Sequence, residues 1–328
     1  MRKRVITTGH IDPVCADKLA EHFDVIATQD YSSDGLIRQI KGVHGLVLRG
    51  GSCSRALLAA ADVLEAVGRH GVGYDTVDVD ACTEAGLVVF NTPRANSTAV
   101  AEAAVTLIMV LAKRIVPTHE LVKSGQFARA RRDYPGTELK GKTLGLVGFG
   151  NIGRQVARRC GIGLEMTVLA YDPYATTVDR NLVGDVTIVK DLDEVLTRAD
   201  FVSMHSPLSD ETRGIISTRE LALMKPTAFI VNCARGGLID EPALAEALRN
   251  HQIAGAGIDV FEEEPPPTDH PFLTLDNVIL TSHIAGVSPE SMRNMASDVA
   301  DGMIVALSGQ RPPGLLNPRA YEVRAKAR

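Results

Sequence analysis

The sequence predicts an α/β protein made of two doubly wound parallel-sheet domains, and three observations carry that expectation. Short apolar runs alternate with helix-patterned segments along the chain, the arrangement in which helices cover a parallel sheet. At 328 residues the chain exceeds what one core usually serves, so two domains are the natural division. A glycine-rich turn between an apolar strand and a helix lies near residue 150 rather than near the start, so a complete smaller α/β unit precedes it.

Taken in order, Arg4 to Thr8 reads as a strand, Pro13 to His22 as a helix, Gly45 to Arg49 as a strand, Ser54 to Ala60 as a helix and Val63 to Val67 as a strand. A capping signal at Asn96-Ser97 opens a long helix through Lys113, and the first boundary belongs there. Its apolar run, Ala103 to Ala112, is about ten residues, short of the roughly twenty that span a bilayer, so it reads as a buried helix. Thr143 to Val147 and Met166 to Tyr171 are strands, followed by Val186 to Val189, Phe201 to His205, Ala228 to Asn232, Gly255 to Val260 and Val278 to Thr281, in a sheet with room for six strands. Pro289 to Leu307 is one helix, and the proline-rich segment from Gly309 to Gly314 starts a tail that returns to the first domain. The expected domains are 1–98 plus 286–328, and 99–285.

Hydrophobic content of 45%, charged content of 23% and a net charge of −5 describe a globular protein with a mildly acidic surface. Neither nucleic acid nor membrane is an expected partner. The densest basic cluster, Arg129 to Arg132, reads as a solvated loop. Five widely spaced cysteines without a Cys-x-x-Cys pair suggest no metal site and suit a reducing cytoplasm. The basic start leads into a strand, not a signal peptide.

The run Thr143-Leu-Gly-Leu-Val-Gly-Phe-Gly-Asn-Ile-Gly153, with Asp172 nineteen positions further on, has the order of a dinucleotide-binding unit. Gly148 allows the tight turn, Gly150 lets backbone amides approach a pyrophosphate, and Gly153 lets the helix pack close. Asn151 and Ile152 open that helix, whose free N–H groups face the phosphates. Asp172, closing the next strand, can accept hydrogen bonds from the adenosine ribose and repel a 2′-phosphate. The expected cofactor is NAD rather than NADP.

Ligands of open α/β sheets bind beyond the carboxyl ends of the strands, and three charged residues follow apolar strands there: Arg235, Glu264 and His283. Arginine suits a carboxylate because its planar fork donates two parallel hydrogen bonds. A histidine beside a carboxylate is favoured in its charged form with a fixed tautomer, ready to protonate a developing alkoxide. Together they describe reduction of a small anionic 2-oxo acid, or oxidation of the matching 2-hydroxy acid.

These segments, with Gly68-Arg-His-Gly-Val-Gly-Tyr-Asp-Thr-Val-Asp78, Ala95 to Glu102, Gly136 to Gly145, Asn232 to Glu241, Asp259 to Pro265 and Ser282 to Gly286, resemble the D-2-hydroxyacid dehydrogenase family, in particular its phosphoglycerate dehydrogenase-like branch, over nearly the whole chain. The resemblance implies two similar α/β domains, a discontinuous flavodoxin-like substrate-binding one and a Rossmann NAD-binding one, with the active site in a cleft between them. It implies Arg235 for substrate binding and catalysis, Glu264 to tune the histidine, His283 as acid/base, and Asp259 among the cofactor contacts. It further implies that Val72 and Gly73 present amides to the substrate carboxylate, that Arg49 and Arg69 lie near a substrate phosphate with Arg131 or Arg132 adding a third cation, and that the protein is a homodimer held around the helix at Ala99 to Arg114. D-3-phosphoglycerate is the first expected substrate and hydroxypyruvate or glyoxylate the alternative. The missing tryptophan departs from the family's usual substrate pocket. A few relatives act instead as NAD-sensing corepressors, but these carry tails for partners and the intact Arg235, Glu264 and His283 set favours turnover.

Overall fold

The computed structural model of the chain describes residues 2–175 and 177–326. It divides into two compact units, Met1–Asn96 with Val287–Arg328, and Ser97–Gly286.

The first unit runs β1 (Arg4–Thr8), α1 (Pro13–Ala20), β2 (Asp24–Thr28), α2 (Ser33–Gln39), β3 (Gly45–Leu48), α3 (Arg55–Ala60), β4 (Ala66–Arg69), α4 (Val79–Glu84) and β5 (Val88–Asn91). The strands form a parallel sheet in the order β2-β1-β3-β4-β5. That order reverses direction between β1 and β3, and a doubly wound sheet takes ligands at such a switch point. Arg49 leaves β3 there, its N–H donating to Thr8 Oγ1 at 3.1 Å.

The second unit opens with α5 (Ser97–Ala112), α6 (Ile115–Lys123) and α7 (Phe127–Asp133). It continues with β6 (Thr143–Val147), α8 (Asn151–Arg158), β7 (Thr167–Tyr171), α9 (Arg180–Val183), β8 (Val186–Val189), α10 (Leu192–Arg198) and β9 (Phe201–Met204). It ends with α11 (Thr218–Leu223), β10 (Phe229–Asn232), α12 (Glu241–Arg249), β11 (Gly255–Ile258) and β12 (Val278–Leu280). All seven strands are parallel, in the order β12-β11-β10-β9-β6-β7-β8, with the switch point between β6 and β9. The chain then returns to the first unit as α13 (Pro289–Leu307) and α14 (Ala320–Lys326).

The strands are legible because parallel strands covered on both faces must be apolar throughout, and β3, β5, β9, β10 and β11 are buried along their whole length. Helix α13 packs on the first unit's sheet, Lys18 of α1 meets Asp301 at 2.7 Å, and the tail is stitched to β5 by Asn317, which accepts from Val89 N–H and donates to Leu87 O, both at 2.8 Å.

Several expectations need correction. The second sheet holds all seven runs read as strands, Val278 to Thr281 among them as the short, half-buried edge strand β12, although the sheet was expected to have room for only six. Strand β4 starts at Ala66 rather than Val63, which is 40% exposed. Edge strand β2 escaped the sequence reading because only Thr28 of its five residues is buried, and the short helices α2 and α4 and strand β5 were not separated from their surroundings. Arg129 to Arg132 lie on helix α7, not in a loop.

Phe90, 1% exposed, fills the gap left by Gly68 and Gly302, where any Cβ would strike its ring. Phe90→Ala should therefore destabilise the first unit by about 3–5 kcal/mol, read as a lower urea midpoint at unchanged m-value. A loss under about 1 kcal/mol would show that this pocket is not closely packed.

Candidate active site

The three charged residues expected at strand ends all leave one edge of the second unit's sheet, because β10, β11 and β12 are neighbours with Asn232, Ile258 and Leu280 in register. After β12 the chain turns at His283, whose backbone is left-handed (φ 55°), a conformation in which histidine is enriched but which must be held by its surroundings. Asp259, 1% exposed, holds it: its carbonyl accepts from His283 N–H at 2.7 Å, and its carboxylate accepts from the Thr281 hydroxyl and from the N–H groups of Ile284 and Ala285, both at 2.9 Å.

The turn aims the imidazole at Glu264, with His283 Nδ1 and Glu264 Oε2 2.6 Å apart. Glu264 is fixed in turn by Phe261 N–H, which donates to its Oε1 at 3.0 Å. A ring nitrogen bonded to a carboxylate carries the proton, which leaves Nε2 as the nitrogen for exchange, and it has no partner among the described residues.

Asn232 shapes the turn of Arg235, accepting from Ala234 N–H at 3.0 Å and donating to the Arg235 carbonyl at 2.7 Å. Arg235 is half-buried, and its Nη1 donates to the Ala234 carbonyl at 2.6 Å. The structure thus brings Glu264 and His283 into direct contact and sets Arg235 on the adjacent strand end.

At the switch point between β6 and β9, Gly148 has φ 101° and packs on His205, where a Cβ would come within 2.6 Å of the His205 carbonyl carbon. Only glycine serves there. Gly153 closes on the Gly148 carbonyl with no room for a side chain, while a Cβ on Gly150 would meet nothing within 4 Å. Helix α8 begins at Asn151 and Ile152 with no side-chain cap, so its positive end stands open to an anion. Asp172 accepts from Phe149 N–H at 2.8 Å through Oδ2, and from Tyr174 and Ala175 N–H at 2.8 and 3.1 Å through Oδ1. Oδ2 retains a lone pair for an outside donor. An uncapped helix end, an open glycine and a presented carboxylate fit a dinucleotide.

In the first unit, Val72 and Gly73 follow β4. The Val72 carbonyl accepts from the buried Asn91 amide at 2.6 Å, whereas the N–H groups of Val72 and Gly73 find no acceptor among the described residues. Arg69 donates to the carbonyls of Leu48 and His70 at 3.1 and 2.6 Å. The Arg49 side chain is half-buried, and among the described residues no carboxylate pairs with it. Arg132 of the second unit is paired with Asp133 at 2.7 Å on an exposed helix.

With this geometry in hand, the chain can be set beside known proteins. Residues 105–285 match the profile described as D-isomer specific 2-hydroxyacid dehydrogenase, NAD binding domain. The chain belongs to the D-isomer specific 2-hydroxyacid dehydrogenase family. It is 41% identical to D-3-phosphoglycerate dehydrogenase of Methanocaldococcus jannaschii over 96% of its own length, but spans only 59% of that relative. It is 38% identical to glyoxylate reductase of Korarchaeum cryptofilum over 99% of this chain and 98% of the relative. Among solved structures, it matches the NADPH-dependent glyoxylate/hydroxypyruvate reductase of Sinorhizobium meliloti, crystallised with NADP and malonate, with a TM-score of 0.85 and 27% identity over 98% of each chain. Among the described residues no helix is long and apolar enough to cross a membrane.

Two further histidines at strand ends, half-buried His205 and buried His70, were not singled out from the sequence. His205 lies behind Gly148, its Nε2 paired with Ser203 Oγ at 2.9 Å, and burial pushes it down to about 4. His70, 3% exposed, lies between Arg69 and the Gly71 turn, with no hydrogen bond to Nε2. Burial first, and the charges of Arg49 and Arg69 after it, also push His70 down to about 4. Polar residues directly after apolar strands were the available signal.

Because folding depresses His70, the unfolded chain binds the extra proton between about 4 and the unperturbed 6.5. The stability this group contributes is complete above 6.5 and is lost as pH falls toward 4, on the order of 3 kcal/mol in all. His70→Asn should flatten the dependence of urea-unfolding free energy on pH across that window. An unchanged slope would contradict the buried, neutral ring.

Proposed function

We propose that the protein is an NAD-dependent dehydrogenase that interconverts a D-2-hydroxy acid and its 2-oxo acid, most like a D-3-phosphoglycerate dehydrogenase. The contact between Glu264 and His283, with Nε2 left without a partner among the described residues, carries this reading. Arg235 receives the substrate carboxylate and the 2-oxygen, orienting the carbon for reaction. His283 Nε2 donates its proton to that oxygen as negative charge develops, and takes it back in the oxidative direction. Glu264 keeps the other nitrogen protonated and neutralises the imidazolium. The bound nicotinamide supplies or accepts the hydride.

In the second unit Gly150, Asn151 and Ile152 hold the pyrophosphate at the start of α8, and Asp172 receives the ribose hydroxyls. A carboxylate there disfavours a 2′-phosphate, hence NAD. Asp259 serves the cofactor through the 281–285 turn that it holds. In the first unit the unpaired N–H groups of Val72 and Gly73 suit a carboxylate, and Arg49, without an acidic partner, suits a phosphate; Arg69 lies beside it.

The other enzyme reading is reduction of glyoxylate or hydroxypyruvate, supported by 38% identity to a glyoxylate reductase over 99% of this chain. The protein associates as a homodimer through α5 to α7, where Met109, Ile115, Val116, Val122 and Phe127 are all exposed. Five free, buried cysteines suit the cytoplasm.

Rates across phosphorylated and plain 2-hydroxy acids decide the substrate: a phosphate that adds nothing to kcat/KM would remove the role given to Arg49. His283→Ala should lower kcat about 10²–10⁴-fold at unchanged NADH affinity, and retained turnover would reject the acid/base assignment. Asp172→Ala should narrow the preference for NAD over NADP; an unchanged ratio would dismiss the ribose contact.

A further inference from the structure

Beside the exposed Glu264–His283 pair lies a second glutamate–histidine pair, and this one is buried. Glu241, the first residue of α12, and His270, on the segment after β11, are 8% and 7% exposed. His270 Nδ1 accepts from Phe272 N–H at 3.3 Å, which places the ring proton on Nε2, 3.0 Å from Glu241 Oε2. The other carboxylate oxygen, Oε1, accepts from Glu262 N–H at 2.8 Å.

The peptide so held joins Phe261 to Glu262, and Phe261 is the residue whose N–H fixes the Glu264 carboxylate. Gly236, next to Arg235, presses on the same peptide, where any Cβ would collide with the Phe261 carbonyl carbon and the Glu262 nitrogen. One peptide is therefore gripped between the turn that carries Arg235 and the carboxylate of Glu241, and it sets where Glu264 stands. A buried pair of this kind is a poor stability device, because desolvation cancels much of its attraction and apolar replacements often do as well. Its place against the Glu264 turn calls for a positional reason.

We propose that Glu241 and His270 form a positioning clamp for the reaction, holding the Glu264 turn against the Arg235 turn so that His283 is fixed at hydrogen-bond distance. Neither residue touches the reacting atoms; both act through Glu264. The inference rests on the dehydrogenase reading above.

The test is a double-mutant cycle between the clamp and Glu264. Glu241→Gln is isosteric but can satisfy only one of the two N–H donors facing it, and His270→Phe keeps a ring between Phe261 and Phe272 while removing the donor. Each should lower kcat about 10–100-fold with NADH affinity within about twofold of wild type. In a Glu264→Gln background the same changes should cost less than about twofold, because the group they position is already lost. A kcat within about twofold of wild type, or a loss undiminished in the Glu264→Gln background, overturns the clamp. If Glu241→Gln does not fold, His270→Phe reads the same cycle. A wild-type protein that turns over no 2-hydroxy acid would sink the dehydrogenase reading instead.

Discussion

The hydrogen bond between His283 Nδ1 and Glu264 Oε2 is the constraint on which the rest of the second unit's active edge depends. The two residues are nineteen apart in sequence and come from successive strand ends. To bring them to 2.6 Å, the chain accepts a left-handed histidine backbone and buries a carboxylate, Asp259, beneath the turn. Strained backbone of this kind persists only where surrounding contacts over-determine it. Here those contacts are the carbonyl and both oxygens of one aspartate. Local cost and chemical purpose coincide: the ring is held so that one nitrogen is fixed and the other is presented.

The parallel sheet makes this possible at little expense elsewhere. Adjacent strands in register deliver Arg235, Glu264 and His283 to one edge, and the uniformly buried strands behind them supply a rigid base. The same logic operates at the β6–β9 switch point, where Gly148 and Gly153 allow the close turn and Gly150 leaves space before the uncapped start of α8. The residues proposed for catalysis and cofactor binding thus lie in loops and at a helix start whose placement is set by apolar strands.

Much of this was legible in the sequence because buried parallel strands and glycine turns leave composition signals. Runs such as Phe229 to Asn232 must be apolar to lie inside, and the acid or base that follows them stands out. What the sequence hid had competing local explanations. Edge strand β2 exposes most of its residues and lacks the pattern of a buried strand. Glu241 reads as an ordinary acid in a first helical turn, which is favourable through the helix dipole alone, so its bond to His270, 29 residues away, leaves no local trace. His70 reads as a polar loop residue between an arginine and a glycine, and only the fold shows it buried. Arg129 to Arg132 read as loop because charge was given more weight than helix propensity, which arginine and alanine both favour.

The most direct measurement of the central claim is nitrogen-15 NMR of the His283 ring in the protein saturated with NADH and oxamate, an inert analogue of a 2-oxo acid. The account predicts a strongly deshielded proton on Nδ1 that disappears in the Glu264→Gln variant. A His283 ring with its proton absent from Nδ1, or with an Nδ1 resonance indifferent to residue 264, would contradict it.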